Sequence, residues 1–267
     1  MQFKAHTGLS GIGRRLRALA GALPNRFALA GNLPSQCAVC HAWPSTRICP
    51  ACAARFAQAV ARCNRCAIRV PDGVPVCGAC LRAPPLVERS LAAVDYAYPW
   101  AGLLADFKFR GDPGWAATLA ALMYRTPGLA PALDGADLVL PIPLSAERLR
   151  ERGFNQALLL ARQLAPTKAR PAVLLRLHAG DAHAGQAHQA QLTRAERLRN
   201  LRGAFAVEPA QAAGLRGRHI VLVDDVMTTG ATLHAAATAL REAGVASICA
   251  VVLARTEPHG GTAASHP

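Results

Sequence analysis

The chain has 267 residues, 52% apolar and 17% charged, which supplies a buried core and excludes a globally disordered polypeptide. No uninterrupted apolar run reaches the roughly 18 residues a membrane span needs, which excludes an integral membrane protein of that kind. The formal net charge of +14 is uneven: residues 1–80 hold ten Lys/Arg against one acid, Asp72, a balance that attracts phosphate-rich partners.

In chain order, residues 1–36 mix Gly, Pro, Asn and basic residues, with a brief helical period over 14–23, and read as a basic flexible arm. The apolar stretch there is broken by Pro24, Asn25 and Arg26, too early for a secretory signal, so a reducing, cytoplasmic location is expected. Residues 37–82 carry eight of the nine cysteines as four pairs of one spacing: Cys37/Cys40, Cys49/Cys52, Cys63/Cys66 and Cys77/Cys80. Two residues between thiols allow one tight turn to aim both at a single cation, and two pairs complete a tetrahedral Zn²⁺ site. Two structural zinc ions are expected. Sequential pairing is the simplest arrangement, and a crossed one stays open. With few large apolar residues, this module takes much of its folding energy from metal.

Ala83-Pro84-Pro85 marks a boundary, after which short β-rich runs alternate with helical segments. Strands are predicted over 90–98, 137–142, 172–177, 203–207, 219–225 and 247–254. Helices are predicted over 100–109, 114–125, 154–165, 193–200 and 232–243. This alternation predicts an α/β domain on a mostly parallel sheet over 83–257, followed by a disordered tail over 258–267. Gly244 reads as a helix C-cap, Cys249 as a core residue, and residues 179–192 as a long polar loop.

In an open α/β sheet, ligands bind beyond the carboxyl ends of strands. There, after Ile220-Val221-Leu222-Val223, stands Asp224-Asp225-Val226-Met227-Thr228-Thr229-Gly230-Ala231-Thr232. A hydroxyl- and glycine-rich turn opening a helix offers free N–H groups to a phosphate. The two carboxylates suit the vicinal hydroxyls of a sugar, or Mg²⁺ held through water. Together they describe a sugar-phosphate site. A Walker B strand is excluded, because it requires a Gly-Lys pair that the sequence lacks.

Residues 221–232 resemble the phosphoribosyl-pyrophosphate (PRPP) signature of type I phosphoribosyltransferases. The wider chain, over about 37–255, resembles the ComF family of competence-associated, phosphoribosyltransferase-like proteins. The segments that carry this are the cysteine pairs, Phe107-Lys108-Phe109-Arg110-Gly111, and Pro141-Ile142-Pro143-Leu144 leading to Arg148 and Arg152-Gly153-Phe154-Asn155-Gln156. Residues 189–205, with Leu192, Arg194, Arg197 and Asn200, complete the set.

The resemblance implies a type I phosphoribosyltransferase-like sheet flanked by helices and preceded by a double zinc ribbon. It implies that Asp224 and Asp225 hold the ribose 2′ and 3′ hydroxyls, as the catalytic pair. Met227, Thr228, Thr229, Gly230, Ala231 and Thr232 would bind the 5′-phosphate. Pro141, Ile142 and Pro143 would face pyrophosphate, and Lys108, Arg110, Arg148 and Arg152 would supply cations near the leaving group, with a solvated basic face as the competing reading. Asn155 and Gln156 are divided between capping a helix and serving the site. Residues 179–192 would close as a lid. That loop departs from the family pattern at Gln186-Ala187-His188-Gln189, which leaves the equivalent glutamine open, and His183 and His188 read as loop residues.

The function so implied is binding of PRPP with Mg²⁺ and handling of single-stranded DNA during natural competence, alongside other competence proteins. Two alternatives stand beside it: a phosphoribosyltransferase of nucleotide salvage or biosynthesis acting on an unidentified acceptor, and a structural adaptor with an idle site. No acceptor pocket is legible, and neither is oligomeric state.

Overall fold

The computed structural model describes residues 35–177 and 203–257. The 14–23 helix, the lid over 179–192, the 193–200 helix and the 258–267 tail lie outside the described residues. The chain divides into two compact units, Met1–Arg47 and Ile48–Pro267.

In the first unit, Ser35 and Ser45 form an antiparallel bridge with paired 2.7 Å hydrogen bonds. The intervening turn carries Cys37 and Cys40 and is closed by His41 N–H donating to the Cys37 carbonyl at 2.9 Å. His41 itself takes a left-handed φ of 61°.

The second unit opens with two short helices, α1 (Pro50–Phe56) and α2 (Gly78–Arg82). Next come β1 (Arg89–Asp95), α3 (Trp100–Phe109), α4 (Trp115–Tyr124), α5 (Leu129–Asp134) and β2 (Leu138–Pro141). They lead into α6 (Ala146–Arg152), α7 (Gln156–Leu164), β3 (Leu174–Arg176) and β4 (Phe205–Val207). After a helical turn at Pro209–Ala212 follow β5 (His219–Met227), α8 (Ala231–Glu242) and β6 (Ser247–Arg255).

Four strands form an all-parallel sheet in the order β1-β6-β5-β2, and β3 and β4 form a separate antiparallel pair. The central strands carry continuous apolar runs, 220–223 in β5 and 248–254 in β6, as burial on both faces requires. α7 presents Ala157, Leu160, Ala161 and Leu164, and α8 presents Leu233, Ala236, Ala237 and Leu240, each set at i, i+3, i+4, i+7 and buried. α8 stops where Gly244 takes a φ of 81° and donates back to the Arg241 carbonyl.

Parallel pairing places the carboxyl ends of all four strands together: Asp95, Arg255, Met227 and Pro141. The second cysteine group lies along β1, tied near its start through Ser90 and at its end through Asp95. Ser90 N–H donates to the Asn64 carbonyl at 2.7 Å, and Ser90 Oγ to the Arg65 carbonyl at 2.8 Å. Ala67, fully buried, joins the main hydrophobic core.

Candidate functional site

The two adjacent carboxylates lie inside the second half of β5 rather than beyond its end, because the strand runs on to Met227. Asp224 sits opposite Val252 of β6. Asp225 is buried, and Lys108 Nζ lies 3.2 Å from its Oδ1. Asp224 is half-buried, with Oδ1 accepting from the Asp225 N–H at 2.9 Å. Burial, then the Asp225 charge, pushes the Asp224 carboxyl up to about 7, against a smaller opposing pull from Lys108 and Arg176. Two carboxylates so placed suit hydroxyl donors or a divalent cation.

The Phe107–Arg110 run closes α3 and spreads its side chains around the helix end. Phe107 is fully buried and meets the Phe154 ring at 5.7 Å, which fixes the end of α3 and delivers Lys108 to Asp225. Phe109 is exposed and lies under the Arg152 guanidinium, 5.2 Å from ring centre to Cζ. Arg110 turns away and pairs with Asp106 at 3.0 Å. Of the four sequence-predicted cations, Arg110 is the one with this solvated, helix-end arrangement.

Arg152 donates to Gln156 Oε1 at 3.1 Å, while its buried Nε has no hydrogen-bond partner among the described residues. Burial weakens its hold on the proton, and the Asp225 and Asp224 charges restore part of it. Arg176, on β3, is governed in the same way by burial, and Asp224 favours its charged form. Its guanidinium lies 5.1 Å over the Phe205 ring. Arg148 is exposed, yet close enough to depress both of these arginines. Lys108, Arg148, Arg152 and Arg176 thus gather their charges around the acid pair.

Between β5 and α8, Thr228 and Thr229 lead to Gly230, whose φ of 78° makes it the left-handed residue from which the helix starts. Thr229 Oγ1 accepts from Ala231 N–H at 3.3 Å. α8 begins at Ala231, one residue before the predicted start, and its twelve residues bring a full helix dipole to the turn. On the β2 side, Ile142 N–H donates to the Val223 carbonyl at 2.9 Å. Asn155 caps α7 by accepting from Leu158 N–H at 3.2 Å, and its Nδ2 donates to the Ile142 carbonyl at 3.0 Å. One asparagine therefore starts a helix and pins the Pro141-Ile142-Pro143 segment.

The cysteines form two groups of four, Cys37/Cys40/Cys49/Cys52 and Cys63/Cys66/Cys77/Cys80, each with all its sulfurs within 4.8 Å of one another. The pairing is sequential. Both groups use the same local devices: the turn after Cys40 or Cys66 passes through a left-handed residue, His41 or Ala67, and Cys49 or Cys77 is the N-cap of α1 or α2. Backbone N–H groups already donate to sulfur, from Cys52 to Cys49 and from Cys77 to Cys63, both at 3.3 Å. Burial pushes the Cys66 thiol up to about 11 and Cys80 higher still. At Cys63, burial is outweighed by donors from Cys77, Arg65 and Cys66, which bring it to about 7. Four close-packed sulfurs shed their protons together only beside a divalent cation, so both groups fit zinc.

Residues 151–265 match the phosphoribosyl transferase domain family. DNA utilization protein YhgH of Salmonella typhi is 34% identical over 220 residues, spanning 78% of this chain and 90% of that protein. Competence protein F of Haemophilus influenzae is 30% identical, over 72% of this chain and 84% of its own length. Competence protein ComFC of Bacillus subtilis is 32% identical, over 80% and 86%. The chain belongs to the ComF family.

Within this ComF-family chain, Arg176 and Arg255 are the residues at the strand ends that sequence reasoning missed. Arg176 stands on a predicted strand with nothing in its neighbourhood to mark it. Arg255 carried a positional signal, as a charge ending a buried apolar run. A cavity of about 230 Å³ lies elsewhere, on the open edge of β1, lined among others by Arg62, Asn64, Arg89 and Arg125, and by none of the residues of the acid pair or the turn. No helix among the described residues is long and apolar enough to cross a membrane.

Proposed function

We propose that this ComF-family chain binds PRPP with Mg²⁺ at the carboxyl end of β5 and handles single-stranded DNA during uptake, in the cytoplasm. The observation that carries the ligand half is the juxtaposition of Asp224-Asp225, the left-handed Gly230 opening α8, and Lys108 at 3.2 Å from Asp225. In this reading the carboxylates hold the ribose 2′ and 3′ hydroxyls, and Met227 to Thr232 cradle the 5′-phosphate with backbone N–H groups and threonine hydroxyls. Pro141, Ile142 and Pro143, fixed by Asn155, border the pyrophosphate. Lys108, Arg148, Arg152 and Arg176 neutralise it as positive charge grows at the ribose C1. Mg²⁺, held through water by the carboxylates, supplies further neutralisation of the leaving group when bound.

The DNA half is supported by the names of the relatives, two called competence proteins and one a DNA utilization protein, and by the basic residues 1–80. The test is calorimetric titration of Mg²⁺·PRPP into the wild type and into Asp224→Ala/Asp225→Ala. Binding lost in the variant supports the site, and equal affinity removes it. Single-strand binding should weaken steeply with salt, and a flat salt response sinks the DNA reading. Pyrophosphate release across a panel of bases and amines separates binding from transfer.

A further inference from the structure

Arg255 ends β6 and is 5% exposed. Its Nε donates to the Cys66 carbonyl at 2.7 Å, and its Nη1 to the Met227 carbonyl at 3.1 Å and to the carbonyls of Thr228 and Thr256. No carboxylate pairs with it among the described residues. Burial costs this guanidinium more than the nearby Cys66 and Glu257 charges return, and a well-packed apolar side chain would hold the strand end at lower cost. What an apolar residue cannot do is hold two separate loops at once. One of these loops contains Cys66 of the second thiol group. The other is the turn proposed above to receive phosphate.

A trans peptide sets its N–H opposite its C=O. Fixing the carbonyls of Met227 and Thr228 on the arginine side therefore sends the N–H groups of Thr228 and Thr229 the other way. Thr256 N–H also donates to the Met227 carbonyl at 3.0 Å, so that carbonyl has two donors and little freedom. Beyond Arg255, the Cys66 backbone is shaped by its turn: Ala67 N–H donates to the Cys63 carbonyl at 2.8 Å, and Ala67 takes a φ of 55°. That conformation is strained for a residue with a Cβ and needs support. A metal joining Cys63 and Cys66 to Cys77 and Cys80 supplies it.

We propose that Arg255 is a positioning residue through which metal occupancy of the Cys63/Cys66/Cys77/Cys80 group sets the geometry of the Met227–Gly230 turn. The phosphate-binding consequence rests on the PRPP reading, while the link between the two loops does not. Metal loss frees the Cys66 carbonyl, Arg255 loses one of its anchors, and the turn loosens. By reciprocity, a ligand that rigidifies the turn slows release of the metal.

Amide hydrogen exchange on the full-length zinc-loaded and chelator-treated protein tests this. Removing zinc should speed exchange roughly tenfold at Thr256, whose N–H is held by the Met227 carbonyl of the turn, while Ile220 to Val223 in the middle of β5 stay protected. In Arg255→Met the Thr256 amide should exchange fast whether or not zinc is present, and Arg255→Lys, which keeps charge but not the reach to both loops, should not restore the link. Unchanged exchange in the wild type after zinc removal overturns the proposal without recourse to any variant. So does an equal rise throughout β5, or a zinc response in Arg255→Met as large as in wild type. A further arm times zinc transfer to a chromophoric chelator with and without Mg²⁺·PRPP, with slower transfer expected in the wild type alone. If Mg²⁺·PRPP protects no amide in any form, the PRPP reading fails while the zinc-dependent exchange still decides the role of Arg255.

Discussion

Asp224 is held in a contradictory setting: burial and a neighbouring carboxylate favour its protonated form, while the ligand proposed for it needs hydrogen-bond acceptors. Its pKa near 7 in the folded chain stands against about 3.9 unfolded, so the folded state binds this proton more tightly. The stability from this group is fully present below about pH 4 and is lost as pH rises through 7. The ligand-free wild type should therefore melt at a lower temperature at pH 8 than at pH 5. Asp224→Asn should flatten that decline and raise the pH 8 melting temperature by a few degrees, roughly 3 °C, while removing PRPP binding. A variant that melts lower than wild type at pH 8 would refute the strained-carboxylate account. Part of this neighbourhood is legible in the sequence: acids closing an apolar run are conspicuous, whereas Phe107-Lys108-Phe109-Arg110 gains meaning only beside the other segments of the family resemblance. Arg176 is not legible, because its role comes from β3 and β4 folding back over Phe205, a long-range event with no local signature.

At the scale of elements, legibility follows buried apolar period. α7 and α8 bury one regular stripe each and were readable to within two residues. α6 buries no residue at all, so its sequence AERLRER carries no apolar period to read. It forms because Ser145 caps it, accepting from Arg148 N–H at 3.3 Å, and Gly153 ends it at a φ of 75°. α1 and α2 likewise begin from cysteine N-caps beside the thiol groups. α7 differs in that its cap has a second duty, the bond from Asn155 Nδ2 to the Ile142 carbonyl. Asn155→Ala should cost about 1–2 kcal/mol for the lost cap together with the orphaned carbonyl. Asn155→Asp keeps the capping acceptor but not the donor. It should therefore recover stability better than PRPP affinity, as read by denaturant melts beside titrations. Equal recovery of both would show that the Pro141-Ile142-Pro143 segment does not depend on this bond.

Across the whole molecule, a composition of cysteine pairs followed by an α/β pattern reads as a module joined to a domain, and that description misses how the second thiol group is built in. Asp95, at the end of β1, pairs with Arg62 at 2.7 Å and with Arg69, the two residues bridged at the base of the Cys63–Cys66 turn. Ser90 binds the carbonyls of Asn64 and Arg65, Arg255 binds that of Cys66, and Ala67 is part of the sheet's own core. These ties connect the turn to β1 along its length and to the end of β6, beside Met227. Metal at this group should consequently stabilise the sheet as well as the turn. Cys63→Ser should lower the melting temperature followed by far-ultraviolet circular dichroism by at least about 5 °C, since roughly 2 kcal/mol moves a domain of this size by that much. The zinc content measured on the same sample should fall by one ion per chain. A variant that loses its zinc and melts with the wild type would mean that the sheet bears the second thiol group without depending on it, and the ties made by Asp95, Ser90 and Arg255 would then hold a passenger.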